Sequence, residues 1–441
     1  MTQHSKENLS ALGEEPSDRV QERSDVCASH VNCTIPLFEG EIEVCSGMNP
    51  ERWIRVSALA RMQLSPVPRA LIEVFDGPVL LSGNLYNVGQ LSTIRVPGGP
   101  TIEVRTLEAK MGKRACSLVI PIRQPTTSIK TGANLQSVRF DVLNFPSLFR
   151  SDRPAVLEVD LWRVEIRPHR RLQAIRKVLK AESGYALTHE GLMRRKDSCS
   201  FTVEEAVGAL TALHHFLSFA RGGSCGLTLL SGNDQDGNRV WEQWGAYSSY
   251  PWFSLSSWLD HRHNNEEELA QAYPGFVRLM ETIVYGYEEH FSTALYWYLR
   301  SNESDNPYTG IILTQAALER LAREVLSDDQ WSKLDTKNRL SEALKKADID
   351  TALPRACKAL STVKKTDGPG ALVNTRNDLI HSDVRQTCSL DALLEVQDLG
   401  QWYVELLLLR RSEYRGRYAS RLAYVYEEKY APEWVPWARQ C

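Results

Sequence analysis

The sequence predicts an α+β protein in two parts, a β-rich and sandwich-like N-terminal domain followed by an all-α helical domain with an inserted β-hairpin. Three observations predict this fold. Short β-rich runs separated by Gly, Pro and Asn occupy residues 36–200. Apolar residues recur at helical spacing from about residue 266 to the end of the chain. Between these regions, the runs 227–230 and 240–244 flank a polar loop, which is typical of a hairpin.

Length and composition limit the class of protein. The chain has 441 residues, which at roughly 150 residues per domain corresponds to about three units, or to two with elaborations. Apolar residues make up 42% and charged residues 24%, so the chain can bury enough surface to fold. The net charge of −3 excludes a uniformly basic surface for nucleic acid, and any phosphate-binding surface must therefore be local.

Cysteine usage and the N-terminus predict the compartment. Nine cysteines without a Cys-x-x-Cys pair indicate neither a zinc knuckle nor a disulfide framework, so we expect unpaired thiols, no metal and a cytoplasmic protein. No phosphate-binding or dinucleotide glycine motif occurs, and no cofactor is expected. Residues 1–35 are polar, lack the features of a signal peptide and are expected to form a disordered tail. The apolar run 406–409 is interrupted by Glu405 and Arg410, so no membrane span is expected.

The elements follow in order along the chain. The β-rich domain, residues 36–200, contains candidate strands at 70–75, 117–121, 138–143 and 156–166 and a late strand at 185–195. A linking region, residues 201–265, begins with a capping box of Thr202 and Glu205, continues as a helix to about Ala220, and includes the hairpin. The helical domain, residues 266–441, has candidate helices at 266–283, 287–300, 310–326, 336–347, 353–364, 371–382 and 389–428.

Several motifs have a structural interpretation that we prefer. Residues 222–226 match the nucleophile elbow of hydrolases, but a helix precedes them and a strand follows, so a glycine-rich helix end is expected. The pair His261 and His263, with His214 and His215, is too weakly spaced to predict a metal site. The tryptophans between 241 and 258 are expected to pack in the interior, with carbohydrate binding as the alternative.

Two local basic patches are candidates for phosphate binding. Residues 167–180 carry six Lys and Arg side chains and no acid, and a solvated face is the alternative. On the predicted C-terminal helix, basic and aromatic residues share one face, which would suit a single-stranded substrate, although ion pairing between helices explains them equally well. The candidate substrate-binding residues on this helix are Arg410, Tyr414, Arg417 and Arg421.

One motif combines groups suited to RNA cleavage. Residues 376–381 read Arg-Asn-Asp-Leu-Ile-His, on a predicted helix that begins near Gly368-Pro369-Gly370. Arg163 and His169 have a related spacing, but Pro168 and the alternating residues before it make that copy strand-like. The motif at 376–381 resembles the signature of the HEPN superfamily of helical ribonucleases. The layout of residues 36–430 is similar to the ApeA-like antiphage group of that superfamily.

The resemblance implies a metal-independent endoribonuclease. In such an enzyme the RNA 2′-hydroxyl attacks the adjacent phosphate, leaving a 2′,3′-cyclic phosphate and a 5′-hydroxyl. His381 would move the proton, because an imidazole exchanges protons near neutral pH, and the Arg376 guanidinium would contact the phosphate oxygens. Asn377 would hydrogen-bond the imidazole or the phosphate. The resemblance further implies a homodimer with a composite cleft, an unknown trigger bound by the β-rich domain, and antiviral defence through a suppressed nuclease.

Helix geometry sets a condition on this site. On one helix, Arg376 and His381 would lie about 140° apart around the axis, whereas Asn377 and His381 would be neighbours. Arg376 would then reach in from the flank or from a partner chain. Glu319 is a candidate to position Arg376, with a surface pair to Arg323 as the alternative. The alternative function is a catalytically silent HEPN dimerisation scaffold with a ligand-binding β-rich domain.

Overall fold

A computed structural model of the chain describes residues 30–46, 53–75, 91–97, 101–105, 108–111, 116–122, 126–129, 134–146, 154–261, 266–281, 290–362, 367–381, 388–424 and 432–440. The protein is of the mixed α+β type, with a β-rich N-terminal region and helices toward the C-terminus, as predicted. Most of the predicted tail lies outside the described residues. Its last part was placed wrongly, because β1 already begins at Thr34 and pairs with β2.

The first sheet is antiparallel and has seven strands in the order β5-β4-β1-β2-β3-β7-β6. Alternate residues of β2, among them Val56, Ala58 and Ala60, are buried, as expected when one face of a strand meets the core. The strands are β1 (Thr34–Ser46), β2 (Trp53–Gln63), β3 (Arg69–Phe75), β4 (Leu91–Arg95), β5 (Thr101–Arg105), β6 (Glu108–Met111) and β7 (Cys116–Ile122).

The second sheet is also antiparallel, with the order β10-β11-β12-β9-β13-β14-β8. The predicted hairpin is confirmed as β13 and β14. It joins this sheet by pairing with β9 and β8, so the second sheet contains strands from both sides of residue 200. The strands are β8 (Thr126–Ile129), β9 (Ser137–Leu143), β10 (Ala155–Val159), β11 (Trp162–Pro168), β12 (Leu187–Arg195), β13 (Leu227–Asn233) and β14 (Arg239–Ala246).

Two helices accompany the second sheet. Helix α1 (Leu172–Glu182) lies within the predicted basic patch, and its buried residues Leu172, Ile175 and Leu179 explain its position. Helix α2 (Val203–Arg221) begins with the predicted capping box. It ends at Gly222, whose φ of 78° lies in the left-handed region, so residues 222–226 form a helix end rather than a nucleophile elbow.

The helices of the C-terminal region pack around one buried helix, α10, which contacts α3, α5, α8 and α9. Its leucines 406–409 are almost fully buried. In the described part of the chain, no helix is long and apolar enough to cross a membrane. The helices are α3 (Glu266–Glu281), α4 (His290–Asn302), α5 (Pro307–Val325), α6 (Asp328–Lys333), α7 (Thr336–Lys346), α8 (Lys358–Thr362), α9 (Gly368–Ile380), α10 (Leu390–Arg411) and α11 (Arg421–Tyr424).

The predicted helix at 389–428 ends earlier than expected. Helix α10 stops at Arg411, and Glu413 then adopts a φ of 55°, which turns the chain out of the helix. The short strand β15 (Arg417–Tyr418) follows and pairs with β16 (Glu433–Trp434). Residues 410–421 therefore do not form one helical face.

Candidate active site

The motif at residues 376–381 lies at the C-terminal end of α9. The helix begins with Asp367 as its cap, whose carboxylate accepts from the Gly370 N–H at 2.6 Å, and it ends at Ile380. His381 is exposed and leaves the helix with a ψ of 114°. Its backbone N–H still donates to the Asn377 carbonyl at 3.0 Å, so Asn377 and His381 remain one turn apart.

Arg376 is half-buried beside Asn377. Its Nη1 donates to Asn377 Oδ1 at 3.2 Å, which fixes the guanidinium and the amide relative to each other. Asn377 therefore links the two ends of the motif. Its backbone carbonyl accepts from the His381 N–H, and its side-chain Oδ1 accepts from Arg376. This geometry brings all three predicted residues to one helix end.

Arg376 opens into a groove between α4, α5, α6 and α9, with a volume of about 340 Å³. We call this the Arg376 groove. Two of its arginines lie over tryptophan rings. Arg320 Cζ is 5.7 Å from the ring centre of Trp297, and Arg323 Cζ is 5.5 Å from that of Trp331. Sequence analysis missed these groove residues, because they lie on separate helices and share no local pattern. The groove residues used below are Trp297, Ile312, Glu319, Arg320, Arg323, Trp331 and Arg376.

Glu319 lies in the same groove as Arg376. Its carboxylate accepts from Gln315 Nε2 at 2.9 Å, which orients it on α5. Arg323, the alternative partner, forms its ion pair with Asp328. Glu319 is thus the acid that shares the groove with Arg376, and its role as a positioning residue stays a prediction.

The predicted C-terminal basic face is wrong as a substrate surface. Tyr414 is 2% exposed and its hydroxyl donates to the Arg417 carbonyl at 2.6 Å. Arg410 pairs with Asp348 at 3.0 Å. Arg421 is 3% exposed and pairs with the fully buried Glu405 at 2.5 Å. Of the four predicted residues, Arg417 alone is exposed, and its Cζ lies 5.4 Å from the ring centre of Trp434.

Other candidates from the sequence are structural where they can be described. Four tryptophans of the aromatic cluster, Trp241, Trp244, Trp252 and Trp258, are at most 9% exposed, which confirms interior packing. His169 is buried directly after β11, and its Nε2 lies 2.9 Å from Asp141 Oδ1. His214 Nδ1 lies 2.8 Å from the Cys225 carbonyl.

The predicted His-x-His pair is only partly described, because His263 lies outside the described residues. Among the described residues, no group of three or more His, Cys, Asp or Glu could hold a metal ion.

Comparison with known proteins gives matches in two regions. Residues 130–255 match the model of the YopA central domain, and residues 285–431 match that of the YopA C-terminal domain. A relative from Bacillus subtilis (strain 168), the SPbeta prophage-derived uncharacterized protein YopA, is 25% identical over 421 residues, covering 86% of this chain and 90% of that protein. No solved structure matches the chain. The central match crosses residue 200, in agreement with the second sheet, and the chain is thus similar to YopA in both its second sheet and its C-terminal helices.

Proposed function

We propose that this chain is a metal-independent endoribonuclease of the HEPN type and that the end of α9 is its active site. The observation that carries the proposal is the arrangement of Arg376, Asn377 and His381 around one helix end. RNA cleavage without a metal needs a group that moves the 2′-hydroxyl proton and a fixed cation at the phosphate. The exposed His381 imidazole supplies the first, and the half-buried Arg376 guanidinium supplies the second.

The Arg376 groove supports an RNA substrate. Arg320 and Arg376 offer positive charge to a phosphate backbone, while Trp297 and Trp331 contact Arg320 and Arg323 and help to hold these cations in the groove. Arg320 is exposed and therefore accessible to a strand that lies in the groove. This groove replaces the C-terminal basic face as the proposed substrate surface. Arg320→Gln is expected to raise KM with a smaller change in kcat, because the residue binds RNA without touching the reacting atoms.

The proposed nuclease is a homodimer, because α5, α9 and α10 pack together and expose large apolar side chains. These are Tyr308, Ile312, Ile380, Leu390 and Leu394, which are 37% to 61% exposed. Exposed apolar groups of this kind are typical of protein interfaces. In such a dimer the α9 ends of the two copies, each with its own Arg376, Asn377 and His381, would line one composite cleft.

Light scattering tests the dimer. We expect a dimeric mass for the wild type and a monomeric mass for Leu394→Glu, with Val178→Glu, exposed on α1, as the matched control. A monomeric wild type that retains full activity would contradict it.

The proposed cellular role follows from toxicity. A nuclease that is always active would damage its own cell, so its activity must be suppressed until infection. The β-rich region is proposed to bind a trigger during infection, which would release the helical part from this inhibition in the cytoplasm. The relative is described as prophage-derived, which makes phage infection the condition to test. Phage plaque counts with His381→Ala should then equal those without the protein.

The experiment that tests the activity uses total cellular RNA in excess EDTA. Wild-type protein is expected to cut, while His381→Ala and Arg376→Gln lower the rate at least a hundredfold, which is the usual scale for loss of an acid-base or oxyanion-stabilising group. His30→Ala and Arg355→Gln are matched controls, because both residues are exposed and lie outside the site. Equal cleavage by wild type and His381→Ala would refute the proposal.

The alternative is a silent HEPN scaffold in which the same residues serve an interface. The bond between Arg376 and Asn377 favours it as much as it favours catalysis, because it also orders the helix end. This scaffold would dimerise normally, and neither the wild-type protein nor His381→Ala would cut RNA.

A further inference from the structure

A cavity of about 260 Å³ lies where the second sheet and its helices meet the C-terminal helices. We call it the junction cavity. Five distant parts of the chain line it, namely Pro146 after β9, α1, the end of α2, the loop between β14 and α3, and the segment that leads into α11. The lining residues used here are Arg176, Lys180, Arg221, Phe253, Asp260 and His261. The cavity is far from the Arg376 motif in sequence and shares no lining residue with the Arg376 groove.

The cavity carries positive charge that its own hydrogen bonds do not neutralise. The buried Arg221 guanidinium donates to the main-chain carbonyls of Ser224 at 2.6 Å, Tyr250 at 3.1 Å and Pro251 at 3.0 Å. Carbonyls satisfy its N–H groups but leave the unit charge in place. Arg421, also in the lining, is by contrast paired with Glu405.

Arg176 is a second cation in the lining of the junction cavity. Its Nε is buried and has no hydrogen-bond partner in the described part of the chain. Burial alone lowers the pKa of Arg176, with no carboxylate acting against it. A desolvated guanidinium without an anion costs free energy, and an anion in the cavity would recover it. Lys180 follows Arg176 by four residues on α1, so both cations point to the same side of the helix.

His261 adds an unused acceptor. The Ser257 hydroxyl donates to the Ala220 carbonyl at 2.7 Å, so its oxygen accepts from His261 Nε2 at 3.2 Å. Burial lowers the pKa of His261 to about 4, and the neutral ring then carries its proton on Nε2. Nδ1 is buried without a partner among the described residues and is left to accept from a donor. Asp260, 6% exposed, places a carboxylate in the same cavity.

An exposed aromatic ring completes the site. Phe253 is 58% exposed and lines the cavity beside the buried Trp252. A phenyl ring held in this position has a face available to a planar group.

We propose that the junction cavity binds a small phosphorylated ligand that has a planar ring and hydrogen-bond donors, of the class of nucleoside monophosphates. The phosphate meets Arg176, Lys180 and the charge of Arg221. A hydroxyl or amino donor of the ligand meets His261 Nδ1. The planar base lies against Phe253. A site built from several distant segments has no linear motif, so the missing glycine motifs in the sequence do not bear on it.

The test is calorimetric titration of the full chain with AMP, GMP, CMP and UMP, and with inorganic phosphate and adenosine as partial probes. At least one monophosphate is expected to bind, with phosphate and nucleoside alone at least tenfold weaker. Arg176→Gln should weaken binding at least tenfold, while Lys177→Gln, exposed on the same helix and outside the lining, leaves it unchanged. Phe253→Ala should reduce the preference for the nucleotide over inorganic phosphate.

Three results would overturn the proposal. The first is the absence of binding by all four monophosphates, and the second is an equal loss in Arg176→Gln and Lys177→Gln. The third is binding of single-stranded RNA that depends on Arg176 while no monophosphate binds, which would assign the cavity to a polymer. Because the readout is binding and not RNA cleavage, failure here is distinct from failure of the proposed nuclease. A circular dichroism melt of Arg176→Gln that matches wild type shows that the variant is folded.

Discussion

Replacing Arg421 by methionine removes the guanidinium from a site where its partner, Glu405, is fully buried. Arg421 holds the Glu405 carboxylate through Nη2 at 2.5 Å and Nε at 3.3 Å, and the Tyr298 hydroxyl donates to the same carboxylate at 2.5 Å. The substitution leaves one buried acid without its counterion. Because the ion pair ties the segment after α10 to the centre of the helical region, we expect the whole region to lose stability.

The magnitude follows from the two states open to Glu405. Keeping an unpaired buried charge costs about 3–5 kcal/mol. Protonating a carboxyl of ordinary pKa, about 4.3, costs about 3.7 kcal/mol at pH 7, at 1.36 kcal/mol per pH unit. The cheaper route sets the expected loss at about 3–4 kcal/mol. Protonation becomes easier as the pH falls, so the loss should shrink by about 1.4 kcal/mol between pH 7 and pH 6.

The assay is urea denaturation followed by circular dichroism at both pH values. Arg417→Met is the matched control, because Arg417 is exposed, and it should change the free energy of unfolding by less than about 0.5 kcal/mol. The double variant Arg421→Met with Glu405→Leu removes both charges and should regain most of the loss. A loss below about 1 kcal/mol in Arg421→Met, or one that does not depend on pH, would refute the reasoning and reopen a role for Arg421 at the surface.

Two further predictions concern stability. His189 is fully buried, and burial lowers its pKa to about 3 from about 6.5 in the unfolded chain, so its stabilising effect is complete above pH 6.5 and is lost as the pH falls toward 3. Between pH 7 and pH 5 this loss is about 2 kcal/mol, so urea denaturation should show a pH dependence of stability about 2 kcal/mol smaller in His189→Gln than in wild type; equal pH dependence would contradict this. Gly275→Ala should destabilise by about 1–3 kcal/mol, because its Cβ would lie 1.8 Å from the Ser412 carbonyl oxygen. Gly208→Ala, with nothing within 4 Å, should stabilise by about 0.5–1 kcal/mol, and thermal shifts of the same sign in both variants would contradict the packing.

Local signals in the sequence predicted local structure well. The capping box of Thr202 and Glu205 and the left-handed stop at Gly222 set the two ends of α2. The hairpin was predicted from its two apolar runs and polar loop, and β13 and β14 confirm it. Such features depend on neighbours within a few residues, which the sequence displays directly.

Tertiary features were the ones that the sequence did not predict. The sequence predicts that Arg421 is a surface cation. In the structure Arg421 is buried, because it forms an ion pair with Glu405 in the core. Helix α1 was read as a basic patch because its buried positions are separated by cations. The Arg376 groove and the junction cavity join segments that are distant in the chain, and no local pattern marks them. The motif at 376–381 was found because its three residues lie within six positions of the sequence, at the end of α9.

The central claim, that Arg376 and His381 cleave RNA through its own 2′-hydroxyl, is tested most directly with a pair of matched oligonucleotides in excess EDTA. One has ribose throughout, and the other carries 2′-O-methyl groups at every position. We predict that wild-type protein cuts the ribose strand alone and leaves 2′,3′-cyclic phosphate and 5′-hydroxyl ends, and that His381→Ala cuts neither strand. Cleavage of the 2′-O-methyl strand, or undiminished cleavage of the ribose strand by His381→Ala, would contradict the claim.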